Sequence, residues 1–500
     1  MSTLNKAWWT LGRGDIDTTI IQVGFNLAQM VIPVFLLLPA GMAANFSVSH
    51  LLPGYALGFL IGSMGVVAAA VRLERRESAS AVTAHVYGNN VPAIIAFSLS
   101  IVLPVWLQSH DAERAWQTGA AAVVWTGLIK LAAAPFARAI RQWIPAPAAM
   151  TVFGAAMYSY LALVLLQRVF DQPVVGLIAL AIVLVTVLGG VPVTRYRIPP
   201  FLVAWILPLL AAMAIGYVRP HWDGFSPQVP WKLPEHTFAG LMLAAPYLSV
   251  IAPIAIYQIL QDIAAVSGAA AAGDDYDSRT ILAWDGLGTL VCGLAGSVIS
   301  PVIYAMHPPY KAIGARIGFA FWTPLIFLAV VTSGMTLFVA QLFPWPILAA
   351  IIAYVSIGVG TATMRRVEPK YWSAVLLGFV LPAGAVVSTA MSSALPALGL
   401  SAASPDVQAA LNRSIYWSSI QGLGSGFLFL VLVVASVIVE SIDRRFGRAA
   451  AWCTVAAAFS WLGLMHSSVI QWGARKDYAA GWLAAALIVW SARWWGGWER

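Results

Sequence analysis

The sequence predicts an all-α polytopic membrane protein, arranged as a seven-plus-seven inverted repeat with broken segments 3 and 10 and two extra C-terminal spans. Two observations predict this class. The chain of 500 residues is 60% hydrophobic and only 10% charged, whereas about a quarter of the residues in a soluble globular chain are charged. In addition, two proline-marked features occur in the same order in both halves of the chain, as a duplicated architecture requires.

The first feature is an interrupted apolar segment in the second half. Residues 300–316, SPVIYAMHPPYKAIGAR, carry the adjacent prolines Pro308 and Pro309 between long apolar flanks. A continuous membrane helix cannot run through them, because proline donates no backbone hydrogen bond and clashes with the preceding turn. Broken backbone is tolerated at membrane depth only where protein buries it or a water-filled cavity wets it. A proline-containing surface loop is the alternative.

A matching interruption lies in the first half. Residues 87–92 (YGNNVP) and 304–309 (YAMHPP) place a tyrosine and a proline at the same spacing. Residues 143–147 (WIPAP) and 343–346 (FPWP) form a second pair, and an apolar helix follows each. Two matches in the same order favour an inverted repeat, in which half-helix ends hold a substrate near the membrane midplane.

A span needs about 20 apolar residues, and sixteen segments are predicted on that basis. They lie near residues 18–41, 52–71, 81–107, 116–137, 146–167, 173–190, 199–218, 238–265, 280–296, 298–318, 321–342, 346–364, 372–396, 415–439, 449–472 and 478–495. The predicted organisation is a cytoplasmic N-terminus (1–14), a first inverted repeat (15–218), an outer loop (219–237), a second inverted repeat (238–440) and two extra spans (441–500).

Charge and cysteine usage narrow the class further. With the N-terminus inside, most of the 28 Lys and Arg residues fall in cytoplasmic loops, so both termini are predicted to be cytoplasmic and the protein to lie in the cell (inner or plasma) membrane. No removable signal peptide is expected. The net charge of +8 is scattered and does not indicate nucleic-acid binding. Cys292 and Cys453 lie in apolar segments, so neither a disulfide framework nor a zinc site is expected.

Polar residues inside spans are costly and indicate function or pairing. Asn26 and Gln29 share a helical face of the first span, where either could contact a ligand or bridge helices. Asn89 and Asn90 open the half-helix of the third span. Capping is the structural interpretation for Asn89, which makes Asn90 the better candidate for ligand contact.

The eighth and ninth spans add two carboxylates. Gln258 and Asp262 are four residues apart and share a face, where the acid could be neutral, paired, on a proton path or held by backbone donors. Asp285 is predicted to head the ninth helix, where the dipole favours an acid. The acidic run with Asp274, Asp275 and Asp277 is predicted to be a solvated turn.

Four further basic side chains are candidates of different strength. His307, a titratable type of residue, lies at the interruption, and a functional role or a hydrogen bond across helices explains it equally well. Lys311 either snorkels or, if central, attracts an anion. Lys130 is predicted to snorkel, and His466 to pack in the fifteenth span. No nucleotide-binding or hydrolase motif is present, so the chain is predicted not to be an enzyme.

Three stretches resemble a known family. They are IPAPAAMTVFGAAM from Ile144, DGLGTLVCGLAGS from Asp285 with IYAMH shortly after, and FPWPILAAIIAYVSIGVGTATMRR from Phe343. The chain resembles the nucleobase–ascorbate transporter (xanthine/uracil permease) family, including its purine-permease branch, over residues 15–440. The resemblance implies a core domain that binds substrate between segments 3 and 10 and a gate domain that supports a homodimer.

The resemblance also implies which positions line the site. The family's segment-1 histidine, segment-3 stacking aromatic, segment-12 tyrosine and two glutamates correspond here to Asn26, Val91, Ser356, Gln258 and Met306. The two carboxylates that grip a base are therefore absent. Gln258 can still donate and accept a hydrogen bond, whereas Met306 cannot.

The first hypothesis is a secondary transporter of a small planar heterocycle, purine- or pyrimidine-like, with H⁺ or Na⁺ as coupling ion and no resident cofactor or metal. Its predicted substrate-binding residues are Asn26, Asn90, Val91, Gln258, Ala305, Met306, His307 and Ser356, and its ion-coupling residues are Asp262 and His307. The alternatives are a transporter of a small anion, since paired helix N-termini are good anion sites, and a non-transporting membrane sensor on the same scaffold.

Overall fold

The computed structural model describes residues 8–38, 41–43, 46–77, 82–191, 200–222, 227, 229, 235–304, 306–398, 400, 404–467 and 471–495. Within these ranges the regular secondary structure is helical apart from one two-stranded sheet. Six of the described helices are long and apolar enough to cross a membrane, and one bent pair would add a seventh. The predicted class, an all-α polytopic membrane protein, is confirmed.

The first half of the described chain contains strand β1 and eleven α-helices. Strand β1 is Val86–Asn89, and the helices are α1 (Arg13–Met30), α2 (Ile32–Leu37), α3 (Pro53–Glu77), α4 (Val91–Phe97), α5 (Leu103–Ser109), α6 (Ala112–Ala133), α7 (Ala137–Trp143), α8 (Ala146–Gly154), α9 (Leu163–Asp171), α10 (Pro173–Val183) and α11 (Pro200–Ala214). Turns of π-helix extend several of them, at Ser47–Leu51, Ser98–Val102, Ala155–Ala162 and Leu184–Leu188.

The second half contains strand β2 and fourteen described α-helices. Strand β2 is Pro301–Tyr304, and the helices are α12 (Glu235–Ala244), α13 (Leu248–Ala271), α14 (Ser278–Leu294), α15 (His307–Ala312), α16 (Gly318–Thr332), α17 (Thr336–Gln341), α18 (Trp345–Arg366), α19 (Trp372–Val380), α20 (Ala383–Ala397), α21 (Pro405–Ile415), α22 (Trp417–Gly424), α23 (Phe427–Ile442), α24 (Phe446–Leu462) and α25 (Lys476–Ser491).

Segments 3 and 10 are broken, as the prolines predict. Each consists of a short strand followed by a helix, and the strands pair antiparallel, with Val86 opposite Tyr304 and Asn89 opposite Pro301. Proline is found at the first residue of a strand, where its missing N–H costs least. Prolines also lie in the first turn of α15, where the backbone N–H groups have no partner within the helix. The antiparallel pairing is the arrangement that an inverted repeat predicts.

The helices form two compact units. Unit 1 comprises Met1–Arg141 and Leu165–Val355, and unit 2 comprises Gln142–Val164 and Ser356–Arg500. The chain passes between the units at three places, inside α7 after Arg141, inside α9 after Val164 and inside α18 after Val355. Both strands belong to unit 1.

In unit 1, helix α14 packs against α3 and α6 through small residues. A Cβ atom on Gly58 of α3 would lie 2.2 Å from Sγ of Cys292, and one on Gly127 of α6 would lie 2.5 Å from the backbone nitrogen of Leu290. Small residues at such contacts let helix backbones approach closely in membranes. This packing holds α14 directly behind the two strands.

The core of unit 2 is an apolar cluster between α8, α19 and α23. Ala148, Met150, Val375, Ala435 and Val439 are all buried in it. At the end of α23 the buried carboxylate of Glu440 lies 2.5 Å from Arg445 Nε and 3.2 Å from Arg448 Nε. Unit 2 therefore has its own core and its own charge network.

Candidate functional site

Asn26 of α1 holds strand β1 in place. Its Oδ1 accepts hydrogen bonds from the Asn89 backbone N–H at 3.0 Å and from the Tyr55 hydroxyl at 3.1 Å. The Asn89 amide donates to the Asn26 carbonyl at 2.8 Å, and Asn26 Nδ2 donates to the carbonyl of Gln22 at 2.8 Å. The buried amide of Asn26 thus joins α1, α3 and the strand.

Gln29, on the same face of α1, contacts the other strand. Its Oε1 accepts a hydrogen bond from the Tyr304 hydroxyl at 2.9 Å, and that hydroxyl also contacts the carbonyl of Asn89. Gly88 lies between Tyr304 and Asn26, since a Cβ atom on this glycine would lie 2.5 Å from Tyr304 Cε2 and 2.6 Å from Asn26 Oδ1. Both polar residues of this face therefore bridge α1 to the paired strands.

Asn90, rather than Asn89, caps helix α4. Its Oδ1 accepts a hydrogen bond from the Ala93 backbone N–H at 2.9 Å, and its Nδ2 donates to Gln261 Oε1 at 3.1 Å. The prediction that Asn89 would be the cap is wrong, because the strand extends one residue further and Asn89 bonds to Asn26 instead.

Gln258 and Asp262 of α13 both face the second broken segment, as their spacing predicts. Gln258 Oε1 accepts a hydrogen bond from Ser300 Oγ at 2.9 Å, and Asp262 Oδ1 accepts one from the Ile303 backbone N–H at 3.0 Å. Both side chains are buried. Gln258 Nε2 and Asp262 Oδ2 have no hydrogen-bond partner among the described residues.

A buried ion pair lies behind strand β2. The Lys130 ammonium is 2.6 Å from Asp285 Oδ2 and donates to Thr289 Oγ1 at 3.1 Å and to the Pro301 carbonyl at 2.9 Å. Neither charged side chain is exposed, and the Asp262 carboxyl is a neighbour of Asp285. One cation and two carboxylates therefore share this buried cluster.

Two predictions about this cluster are wrong. Lys130 does not snorkel, because Asp285, Thr289 and the strand satisfy its three N–H groups inside the protein. Asp285 does not head its helix, because α14 begins at Ser278 and the acid lies two turns further along. The helix dipole at the N-terminus therefore does not account for Asp285, and pairing with Lys130 does.

A second polar cluster joins three parts of the chain: the start of the third segment, residues 272–277 and helix α15. His307 Nε2 lies 3.0 Å from the Thr83 carbonyl and 3.0 Å from Asp274 Oδ2. Both partners accept, so Nε2 carries a hydrogen. Lys311 Nζ lies 2.6 Å from Asp274 Oδ1, and the Thr83 backbone N–H donates to Asp274 Oδ2 at 3.1 Å. We call Thr83, Asp274, His307 and Lys311 the latch.

The acidic run is only partly the solvated turn that was predicted. The side chain of Asp274 is 2% exposed, while Asp275 and Asp277 face outward and pair with Arg141 at 2.9 Å and Arg138 at 2.8 Å. Burial raises the pKa of the Asp274 carboxyl, but hydrogen bonds from His307, Lys311 and Thr83 outweigh it, so this pKa is lower than the ordinary aspartate value.

The remaining predicted residues are placed as follows. Val91 is half-buried at the first position of α4, and Met306 is buried just before α15. Met306 Sδ accepts a hydrogen bond from the Tyr310 hydroxyl at 3.7 Å. Ser356 is buried in α18, and its hydroxyl has no partner in the part of the chain that is described. Ala305 lies outside the described residues.

Sequence reasoning gave no role to His85. The ring is buried, both of its nitrogens lack a hydrogen-bond partner within the described ranges, and its centroid lies 5.3 Å from that of His307. It lines a void of about 10 Å³ together with Tyr87, Gln22 and Ser63, which is room for one water molecule. The void therefore lies between His85 and Tyr87 of strand β1.

No family model matches the chain, and no curated protein matches it in sequence. Membership of the nucleobase–ascorbate transporter family is therefore not confirmed. Among solved structures, the transmembrane domain of the cyanobacterium bicarbonate transporter BicA aligns with 84% of this chain and 96% of that chain, at 14% identity and a TM-score of 0.44. The structure of SLC26A9 aligns with 75% of this chain and 62% of that chain, at 14% identity and a TM-score of 0.45.

Proposed function

We propose that this protein is a secondary active transporter of a small anion and that the substrate binds at the paired strands of segments 3 and 10. The observation that carries the proposal is the Gln258 amide. Its Nε2 is buried beside Ser300 without a partner among the described residues. A buried donor of this kind is costly unless it is satisfied, and an anion supplies the hydrogen-bond acceptor that it lacks.

Helix ends near the strands favour negative charge. Helix α4 begins directly after β1, and the helical chain continues through a π-helical turn into α5. Helix α15 begins close to the end of β2. Because the strands are antiparallel, the N-termini of α4 and α15 flank opposite ends of the pair. Helix N-termini carry partial positive charge, which favours an anion. This support comes from the helix dipoles and not from free donors, because Pro92, Pro308 and Pro309 have no N–H group and the Ala93 N–H is bonded to Asn90.

A nucleobase substrate has less support from these residues. Such a ring needs acceptors for its N–H groups, yet Met306 is engaged with Tyr310 through sulfur and offers only a weak acceptor. The Gln258 amide is the one feature that keeps a nucleobase as a second candidate, since it can complement a ring amide by donating and accepting.

The buried charges supply a coupling site. Lys130, Asp262 and Asp285 together carry one positive and two potential negative charges, all buried. Net charge in a low-dielectric interior is unfavourable, so the cluster is balanced when one carboxyl is protonated. Asp285 is paired with Lys130, which leaves Asp262 to carry the proton or to bind a cation. Asp262 also bonds to β2, so its charge state acts on the proposed substrate site.

Uptake into liposomes tests the substrate class. The purified chain is reconstituted, a pH gradient is imposed, and influx of labelled bicarbonate, chloride, sulfate, uracil and xanthine is measured. We expect uptake of one of the anions and its loss in Gln258→Glu, because a carboxylate then replaces the donor. Gln471→Glu, at an exposed position, is the matched control and should transport normally.

The same variant separates the alternatives. If the substrate is a nucleobase, Gln258→Glu introduces a carboxylate that can accept hydrogen bonds from the N–H groups of the ring. Uptake of the nucleobase by this variant should then rise. Saturable binding of an anion without any flux would contradict transport and would favour a membrane sensor.

A further inference from the structure

Unit 2 contains a cleft of about 670 Å³ that takes no part in the proposed transport site. Its lining combines apolar side chains with charged and aromatic ones. The residues that matter here are Leu423, Leu430, Arg475, Asp477, Tyr478 and Trp482.

His466 holds the wall of this cleft. Its Nδ1 lies 2.7 Å from the Gly422 carbonyl, which only accepts, and its Nε2 lies 3.1 Å from Trp482 Nε1, which only donates. The imidazole is therefore neutral, with its hydrogen on Nδ1. The His466 backbone N–H also donates to the Ser425 carbonyl at 2.9 Å, at the break where α22 and α23 meet with a bend of 78°.

The prediction that His466 lies within the fifteenth span is wrong. Helix α24 ends at Leu462, so His466 lies in the following loop and not within a span. Its hydrogen bonds to Gly422 and Ser425 occupy carbonyl groups that the broken helix leaves without a helical partner. The wall of the cleft is thus held in place by His466, which forms two hydrogen bonds to the break and accepts a third from Trp482 of α25.

The rim of the cleft carries two opposite charges side by side. Arg475 Nη2 and Nε lie 2.9 and 3.1 Å from the two oxygens of Asp477, Nη1 donates to the His466 carbonyl at 2.8 Å, and the guanidinium lies 4.2 Å above the Tyr478 ring. A guanidinium has five N–H groups and a carboxylate has about four lone-pair sites. Arg475 can therefore donate, and Asp477 accept, further hydrogen bonds. Their side chains are 27% and 65% exposed.

The cleft lies where a polar helix end meets an apolar surface. Helix α25 begins at Lys476 with Asp477 in its first turn, and its next turns expose Leu483, Leu487 and Ile488 by 49%, 69% and 57%. Such an apolar face suits the lipid chains, while tryptophan and tyrosine rings are enriched at the level of the headgroups. Tyr478 and Trp482 of the cleft lie at that transition.

We propose that the cleft binds a phospholipid headgroup that contains a phosphate and a primary ammonium, as in phosphatidylethanolamine. The phosphate accepts from Arg475, the ammonium donates to Asp477, and the glycerol end lies on Leu423 and Leu430. An anionic headgroup brings a negative charge to Asp477 with nothing to neutralise it. A choline headgroup has no N–H group to donate.

Lipid binding to the purified full chain, counted by native mass spectrometry, tests this assignment. The probes are dioleoyl phosphatidylethanolamine, phosphatidylcholine and phosphatidylglycerol, together with soluble phosphorylethanolamine. We expect the ethanolamine lipid to bind about tenfold more tightly than the other two, the effect of one charge-assisted hydrogen bond. Arg475→Gln should weaken the binding of all three lipids, because each presents a phosphate to this side chain, while Arg413→Gln, at an exposed position of the same unit, should leave binding unchanged.

Asp477→Asn keeps the test independent of folding defects, because it should change the order of preference instead of abolishing binding. With the carboxylate gone, Arg475 is unbalanced, and phosphatidylglycerol should become the preferred lipid. Equal binding of the three lipids by the wild type overturns the proposal, as does equal loss in Arg413→Gln. Phosphorylethanolamine binding as tightly as the lipid overturns the assignment to a membrane lipid. None of these readouts depends on transport.

Discussion

The Lys130 ammonium lies 2.6 Å from the Asp285 carboxylate, and neither side chain is exposed. The same ammonium donates to the carbonyl of Pro301, the first residue of strand β2. The charge pair is therefore attached to the strand at which we propose that the substrate binds.

Breaking this pair should be strongly destabilising. Lys130→Met leaves the Asp285 carboxylate buried without its partner, and removal of one member of a buried pair costs about 3–5 kcal/mol. The double variant Lys130→Met/Asp285→Asn removes both charges and should recover most of that loss. Thermal unfolding of the purified variants in detergent measures the difference. A double variant as unstable as the single one would show that the pair is not coupled.

Gly88 should not tolerate a side chain. A Cβ atom there would meet Tyr304 and Asn26 at 2.5 and 2.6 Å, and overpacking of this kind costs about 1–3 kcal/mol. The matched control is Gly447→Ala in α24, where nothing lies within 4 Å of the added atom. That substitution should be neutral or stabilising by about 0.4–1 kcal/mol. The same melting experiment compares the two, and equal effects would contradict the close packing of β1 against β2.

The latch should be acid-sensitive through Asp274. Its pKa is lower in the folded protein than the ordinary value, so its contribution to stability is present above about pH 4 and is lost as the pH falls through the folded pKa. Asp274→Asn should cost about 1.5–3 kcal/mol at neutral pH, because it removes charged hydrogen bonds. The gap between wild type and variant should shrink below about pH 4.

The control for the latch is Asp275→Asn. That carboxylate is 64% exposed and pairs with Arg141, so its loss should change stability by less than about 1 kcal/mol. Unfolding curves recorded across the acid range distinguish the two positions. A gap between wild type and Asp274→Asn that stays constant down to the lowest pH would rule out the ionised carboxylate as its source.

Asp262→Asn should uncouple transport from the cation. The amide cannot ionise, yet it can still accept from the Ile303 N–H that Asp262 bonds to at 3.0 Å. We expect exchange of substrate across the liposome membrane to continue while accumulation driven by a pH or sodium gradient is lost. Measuring exchange and accumulation on the same vesicles separates the two. Gradient-driven accumulation that survives in this variant would remove Asp262 from coupling.

The sequence predicted the fold through features that are local in the chain. Prolines and apolar length located the broken segments 3 and 10, and helical spacing placed Gln258 with Asp262 and Asn26 with Gln29 on common faces. The contacts that fix their roles are not local. The partner of Lys130 lies far away in the sequence, at Asp285.

The errors have the same physical origin. A run of acids looks solvated in sequence, but the side chains of His307 and Lys311 reach Asp274 from another segment. The cap was assigned one residue too early, because nothing in the sequence shows where β1 ends against β2. Hydropathy likewise indicates that burial of the Lys130 charge costs free energy, but it does not show which residues compensate for that cost.

Protection of a single cysteine by substrate tests the central claim most directly. Val91→Cys, in a chain whose two native cysteines are replaced by alanine, places a thiol at the start of α4, beside the paired strands. The anion that the liposome assay identifies should slow labelling of this thiol by a small maleimide, and should leave labelling of Gln471→Cys unchanged. Equal labelling rates at position 91 with and without the transported anion would contradict a substrate site at segments 3 and 10.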